Sequence, residues 1–274
     1  MNENNLCTHQ GAITSGSISE SHNLEEENNS VTCPFSANKS EKIPILYKAS
    51  EVTSSLGTSS SLGEILEWVN SFLAKPHKEL GRKGPVCPFV PMSLVLDKIW
   101  FTAIENDATN VIDICDIVTN LREVFLSTEP TDSELAINKA FLIVFPKLKN
   151  SDAKVVDTVQ LRLKEEFVEQ GLMLGEFHAH NESPGLRNEA FRPLRSPIPM
   201  LAIRHMVDSD LPFLVKKSYP AELRKVYIRA YLSNLYNSLS RAKFSEALEY
   251  LIEAELQLSS KRASESDILS KQPV

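Results

Sequence analysis

Apolar and polar positions alternate along this chain with two periods, and the change from one to the other marks out its elements. Leu62, Ile65, Leu66, Val69 and Phe72 recur at helical spacing, with Ser61 and Glu64 in a capping-box-like start and Pro76 as a stop. Residues 77–94 carry too many prolines and glycines for a regular element, and 96–106 reads as a short helical or mixed stretch. Ile112, Ile114, Ile117, Val118, Leu121 and Phe125 predict a second helix over 111–126. The run AFLIVFPKL, 140–148, is continuously apolar and reads as a buried central strand. An amphipathic helix is expected over 152–171, opened by Asp152 and stopped by Gly171.

Two strands then follow, LMLGEFH from 172 and PMLAIRHMV from 199, joined by a long loop. A turn is expected around DLPFL, 210–214, and two helices close the fold, one opening at Pro220 and one over 243–258. This order of elements argues an α+β fold, a small mixed sheet covered by helices. Residues 1–60 are rich in Ser, Asn, Glu and Thr, too polar to build a core, and are expected to form a disordered tail. The apolar island IPILY at 43–47 is equally consistent with docking on the body or remaining in that tail. The single domain is expected to span 61–258, with a polar tail over 259–274.

Charge and composition narrow the function classes. The net charge is -7 and no Lys/Arg-rich run occurs, which argues against nucleic acid as a partner. No apolar run reaches the ~18 residues needed to span a bilayer, so no membrane partner is expected. The opening MNENNLCTHQ lacks the basic and apolar regions of a secretory signal. A cytoplasmic location follows, and Cys7, Cys33, Cys87 and Cys115, without CxxC spacing, are expected as free thiols. Neither a P-loop nor GxGxxG, GxSxG or HExxH is present.

The candidate chemistry lies between Leu172 and Leu214, where three of the six histidines, four arginines and five prolines gather. His178 and His180, at i and i+2 on a strand end, would share a face with Glu176, either as metal ligands or as loop-fixing hydrogen-bond partners. His205 would approach His178 if the two strands pair antiparallel, although a histidine within an apolar strand is more often a core residue. Arg187, Arg192, Arg195 and Arg204 suit a carboxylate or phosphate ligand, or ion pairs with Glu176, Asp208 or Asp210. Cys87, framed by prolines at 85, 88 and 91, is either a directed thiol or a small buried hydrophobe. The turn Gly81-Arg82-Lys83-Gly84 before it has backbone N–H groups that can cradle an anion.

Val86-Cys87-Pro88-Phe89, Gly175-Glu176-Phe177-His178 and the arginines of GLRNEAFRPLRSPIP together resemble the YqcI/YcgG family of haem-dependent N-oxygenases. The likeness covers roughly residues 77–215, with Val-Cys-Pro-Phe standing for Phe-Pro-Cys and His178-Ala179 for His-Pro. The same words also look like those of a wider group of bacterial proteins. The resemblance implies a haem-dependent monooxygenase acting on a small amine or amino acid, drawing on an electron donor. His178 would ligate the iron, Arg192 and Arg195 would hold the propionates or a substrate carboxylate, and Cys87 and His205 would line the pocket. Phe89, Phe177, Phe191 and Met200 would wall it. The rival reading is a cofactor-free enzyme or binding domain for a small anionic metabolite, with the arginines as ligand and His178 as acid or base. A homodimer is compatible with either.

Overall fold

A computed structural model describes residues 44–105, 110–131 and 133–269. The chain begins with β1 (Tyr47–Lys48), α1 (Ala49–Glu51), α2 (Ser61–Trp68) and α3 (Val90–Val95). It continues through β2 (Ile99–Ala103), α4 (Val111–Ser127), α5 (Ser133–Ala136), β3 (Ala140–Val144) and α6 (Lys154–Glu169). β4 (Leu172–Phe177), β5 (Met200–His205), α7 (Leu211–Leu214), α8 (Ala221–Leu235) and α9 (Arg241–Leu269) complete it. The five strands form one sheet in the order β1-β2-β3-β5-β4. Only β2 and β3 run parallel, so the sheet is mixed and the fold is α+β.

Because side chains alternate across a strand, each face collects its own core. One face carries Trp100, Phe141, Ile143, Leu174, Leu201 and Ile203 against Val118, Leu121 and Phe125 of α4 and Val156, Val159 and Phe167 of α6. The opposite face carries Phe101, Leu142, Val144 and Met200 against Leu62, Ile65 and Val69 of the first helical segment. A third cluster joins Met173 and Met206 to Leu211, Leu214, Tyr227 and Tyr231 of α7 and α8. Phe141 is fully buried at the centre, so truncating it to Ala costs about 3–5 kcal/mol.

Several expectations change. Order begins well before residue 61: Tyr47 and Lys48 pair with Phe101 and Trp100, Ala49 and Val52 are buried, and Leu46 and Tyr47 of the IPILY island pack on the two cores, while Ile45 is exposed and Ile43 lies outside the described residues. Residues 1–43 of the expected tail, with Cys7 and Cys33, lie outside the described residues; Cys87 and Cys115 are free. The stretch expected as helical or mixed, 96–106, holds β2, whose IWFTA is buried because helices cover both faces. The first long helix is capped by Ser60, one residue before Ser61, its hydroxyl accepting from the Gly63 N–H at 3.0 Å. DLPFL is helical, and α9 runs on to Leu269 through the segment expected as a polar tail from 259. Gly171 does end α6, with φ +71, where a β-carbon would also meet Asn234. Among the described residues no helix is long and apolar enough to cross a membrane.

Candidate functional site

The loop that joins β4 to β5 turns sharply as soon as the strand ends at Phe177. The Asn181 N–H donates to the His178 carbonyl at 3.1 Å, so the pleat stops there and His180 swings out to solvent. His178 and His180 therefore do not share a face. The His178 ring is buried, with Nε2 3.0 Å from Asp157 Oδ1 on α6. Its Nδ1 accepts from the His180 N–H at 3.2 Å. A nitrogen that accepts carries no proton, so the ring proton sits on Nε2 and is donated to Asp157.

Asp157 opens a polar stripe on α6 that faces β4. Asp157, Gln160 and Lys164 stand at i, i+3 and i+7, on one side of the helix. Gln160 Nε2 donates to the Leu174 carbonyl at 3.1 Å, and Asn181 Nδ2 donates to the Glu176 carbonyl at 3.2 Å. Lys164 is buried, donates to the Tyr219 hydroxyl at 2.7 Å and the Phe213 carbonyl at 3.2 Å, and lies 4.7 Å from the Tyr219 ring centre. Burial lowers its pKa to about 8, against the pull of Glu176 and Asp210. Sequence reasoning missed Asp157, Gln160 and Lys164. Their signal was the spacing of polar groups within an otherwise amphipathic helix.

Between α6 and the turn lies a cleft of about 410 Å³ walled by Asp157, Gln160, Leu161, Glu176, Asn181, Glu182 and Ser183. Three of these are carboxylates. The Glu176 carboxyl is largely out of solvent, and burial raises its pKa; its own N–H opposes this, Asp157 adds to it, and Lys164 and Lys216 oppose it. Among the described residues no other side chain hydrogen-bonds the Glu176 carboxyl.

The four arginines do not converge on an empty anion site. Arg192 Nε lies 3.1 Å from Glu182 Oε2, and Arg195 pairs with the other oxygen, Oε1, of the same carboxylate. Hydrogen bonds from Arg192 and Arg195 hold the Glu182 carboxyl below its usual range. Arg192 also donates to the Glu189 and Phe191 carbonyls, and Arg195 to the Asn181 carbonyl at 3.2 Å. Arg204 makes a two-pronged pair with the buried Asp210, at 2.6 and 2.7 Å. Although burial opposes its charge, Asp210 keeps the guanidinium protonated. Arg187, like Arg195, is exposed, but among the described residues it forms no ion pair; its β-carbon packs on the backbone of Gly81.

Cys87 and His205 stand away from His178. Cys87 is half-buried in the cluster on the opposite sheet face, its N–H donating to the Leu73 carbonyl at 2.9 Å. β4 and β5 are antiparallel, but their register sets His205 opposite Leu172 and Phe177 opposite Met200. Six residues of extended chain, about 20 Å, therefore separate the two histidines. The His205 ring sits 5.0 Å from the Phe125 ring with Nε2 buried and without a hydrogen-bond partner among the described residues, and burial, then Lys139, lowers its pKa to about 4. It is neutral at physiological pH.

The residues expected to hold a haem do not fit one. Both nitrogens of His178 are engaged, the arginines meant for propionates are engaged by Glu182 and Asp210, and Cys87 faces the other core. Phe177 packs edge-on to Trp68, Phe191 stacks on His77 at 4.8 Å, and Met200 is core, so the expected pocket wall fills space instead. Among the described residues no group of three His, Cys, Asp or Glu side chains is placed to hold a metal ion.

A family model described as a domain of unknown function (DUF6875) matches residues 62–244, which span the sheet from β2 to β5 and both cores. No curated protein and no solved structure matches the chain. The likeness to haem N-oxygenases thus rests on the three sequence words alone.

Proposed function

Starting from a chain that belongs to this DUF6875 family, we propose that it binds a small organic cation, an amine or a guanidine, in the cleft between α6 and the 178–183 turn. The observation that carries this reading is Glu176. It presents a largely buried carboxyl, with no other side chain bonded to it among the described residues, to a cleft that also holds Asp157 and Glu182. A carboxylate in that position is costly; Lys164 and Lys216 offset part of that cost without bonding to it, and a bound cation would offset more. Leu161, 64% exposed, supplies an apolar surface for the carbon part of such a ligand.

The chemistry available there is charge-assisted hydrogen bonding to nitrogen. Burial makes Glu176 a stronger base than an exposed carboxylate, so it suits accepting a hydrogen bond from a bound ammonium or guanidinium and holding that group in place. Asp157 also faces the ligand, and its bond to His178 holds the turn that carries Asn181 and Glu182. The N-oxygenase resemblance points to the same class of substrate and adds support. No step through haem is drawn, because His178 offers no free nitrogen. An anionic ligand is less suited to this cleft, whose two nearest arginines are shared by Glu182.

Titration with agmatine and putrescine, followed by amide NMR, tests the reading. Saturable binding with the largest shifts at Glu176 and Asn181–Ser183 is expected, weakened roughly tenfold or more in Glu176→Gln, as for loss of a charge-assisted contact. Failure of both amines to bind, or equal binding of succinate, would overturn it.

A further inference from the structure

Two segments that the sequence offered separately as anion binders meet in space, and neither belongs to the acidic cleft. The loop 75–87 is pinched at its base, where Val86 N–H donates to the Lys75 carbonyl at 2.9 Å and Pro76 bridges to Pro85. At its tip a short 3-10 turn, Lys78–Leu80, runs into Gly81 with φ 73 and ψ 12. A right-handed residue followed by a left-handed one turns successive N–H groups to the same side, a concavity that binds anions. Among the described residues the N–H groups of Gly81, Arg82, Lys83 and Gly84 donate to no protein acceptor.

The arginine loop is locked onto this tip. Arg187 packs so closely on Gly81 that a β-carbon there would lie 3.0 Å from the Arg187 β-carbon. Asn188 Nδ2 donates to the Glu79 carbonyl at 2.8 Å, and the Phe191 ring stacks on His77. Arg82 folds back over the turn, donating to the Lys83 and Val86 carbonyls at 3.1 and 3.0 Å. Lys78, Lys83 and Arg187 form no ion pair among the described residues, in contrast to Arg192, Arg195 and Arg204. Glu79 and Glu189 are the carboxylates nearest in sequence, and neither is paired with these cations.

We propose that the Gly81–Gly84 turn, flanked by Lys78, Lys83 and Arg187, binds the phosphate group of a small phosphate monoester. Four unused N–H groups beside three cations with no ion pair among the described residues favour a doubly charged anion with several acceptor oxygens, a phosphate, over a singly charged carboxylate. With a chain charge of -7 and no extended basic track, the turn does not suit a nucleic acid backbone.

The test uses the full chain, with inorganic phosphate and glycerol phosphate as probes, at ionic strength held constant with sodium chloride. Calorimetry and amide NMR should show saturable binding of both, with the largest shifts at Gly81–Gly84. The double variant Lys83→Ala/Arg187→Ala alters two exposed side chains, so its melting temperature should be unchanged while affinity falls roughly tenfold or more. Lys149→Ala, outside both loops, should bind as the natural chain does. The proposal is overturned if neither probe saturates, if the shifts centre elsewhere, or if the double variant binds equally well. A phosphoserine peptide that binds more tightly than glycerol phosphate would overturn the small-molecule assignment.

Discussion

Asp157 and His178, 21 residues apart in sequence, meet at 3.0 Å across the joint between α6 and β4, and their bond fixes which nitrogen of the ring is protonated. With the His180 N–H on Nδ1, the imidazole is fully used in holding the turn. Asp157→Ala leaves the buried Nε2–H without an acceptor and should cost about 1–3 kcal/mol of stability. Asp157→Asn, which keeps an acceptor, should cost less. Urea unfolding measures both, and 15N spectra should show the Nε2–H tautomer. A Nδ1–H tautomer would contradict the geometry.

Haemin offered to the purified protein should show no dependence on His178, because coordination would require breaking one of the two bonds that bury the ring. His178→Ala and the natural chain should therefore give the same Soret absorbance on titration. A band lost only in the variant would return the iron to His178.

Arg204 and Arg195 should separate in their tolerance to change. Asp210 is 1% exposed, so Arg204→Ala leaves a buried carboxylate without its counter-charge, held only by the Val207 N–H, and should cost about 3–5 kcal/mol. Arg204→Lys, which loses the planar two-pronged contact, should cost less than Ala but remain measurable. Arg195 meets an exposed Glu182 that Arg192 also holds, so Arg195→Lys or →Ala should change stability by less than about 1 kcal/mol. Denaturant midpoints at neutral pH decide between these outcomes.

His205 makes stability depend on pH in one direction. Burial first, then Lys139, lowers its folded pKa from the ordinary 6.5 to about 4. Below 6.5 the unfolded chain takes up a proton that the folded chain does not, so this contribution is present above pH 6.5 and lost as pH falls toward 4. His205→Leu should flatten that part of the stability profile. An unchanged slope in the variant would show that other groups carry it.

What the sequence made legible were elements whose burial shows in their own residues. AFLIVFPKL announced β3 because both faces are covered, and the helical stripes of α4 and α6 recur in their cores. β2 escaped because IWFTA follows the charged Asp97-Lys98 and lacks the longer apolar run that flags β3; its strand character comes from parallel pairing with β3. Tyr47 and Lys48 are a strand only because β2 is beside them. Partner choice was least legible. Arg204 found Asp210, one of the acids considered, whereas Arg192 and Arg195 chose Glu182, and only the fold of the turn brings that residue between them. Antiparallel pairing of the two histidine-bearing strands was a sound condition, but register, which the sequence does not state, set the histidines at opposite ends.

The two amides laid on β4 have a consequence for the protein in concentrated solution. β4 is the last strand of the sheet, and its outward carbonyls at Leu174 and Glu176 would otherwise invite another chain to pair there. Gln160 and Asn181 occupy both, imitating with side chains the hydrogen bonds a neighbouring strand would make. Another strand pairing along β4 would first have to displace these side chains, so a chain lacking both amides should self-associate more readily through β4, seen as larger species by light scattering, while keeping its fold.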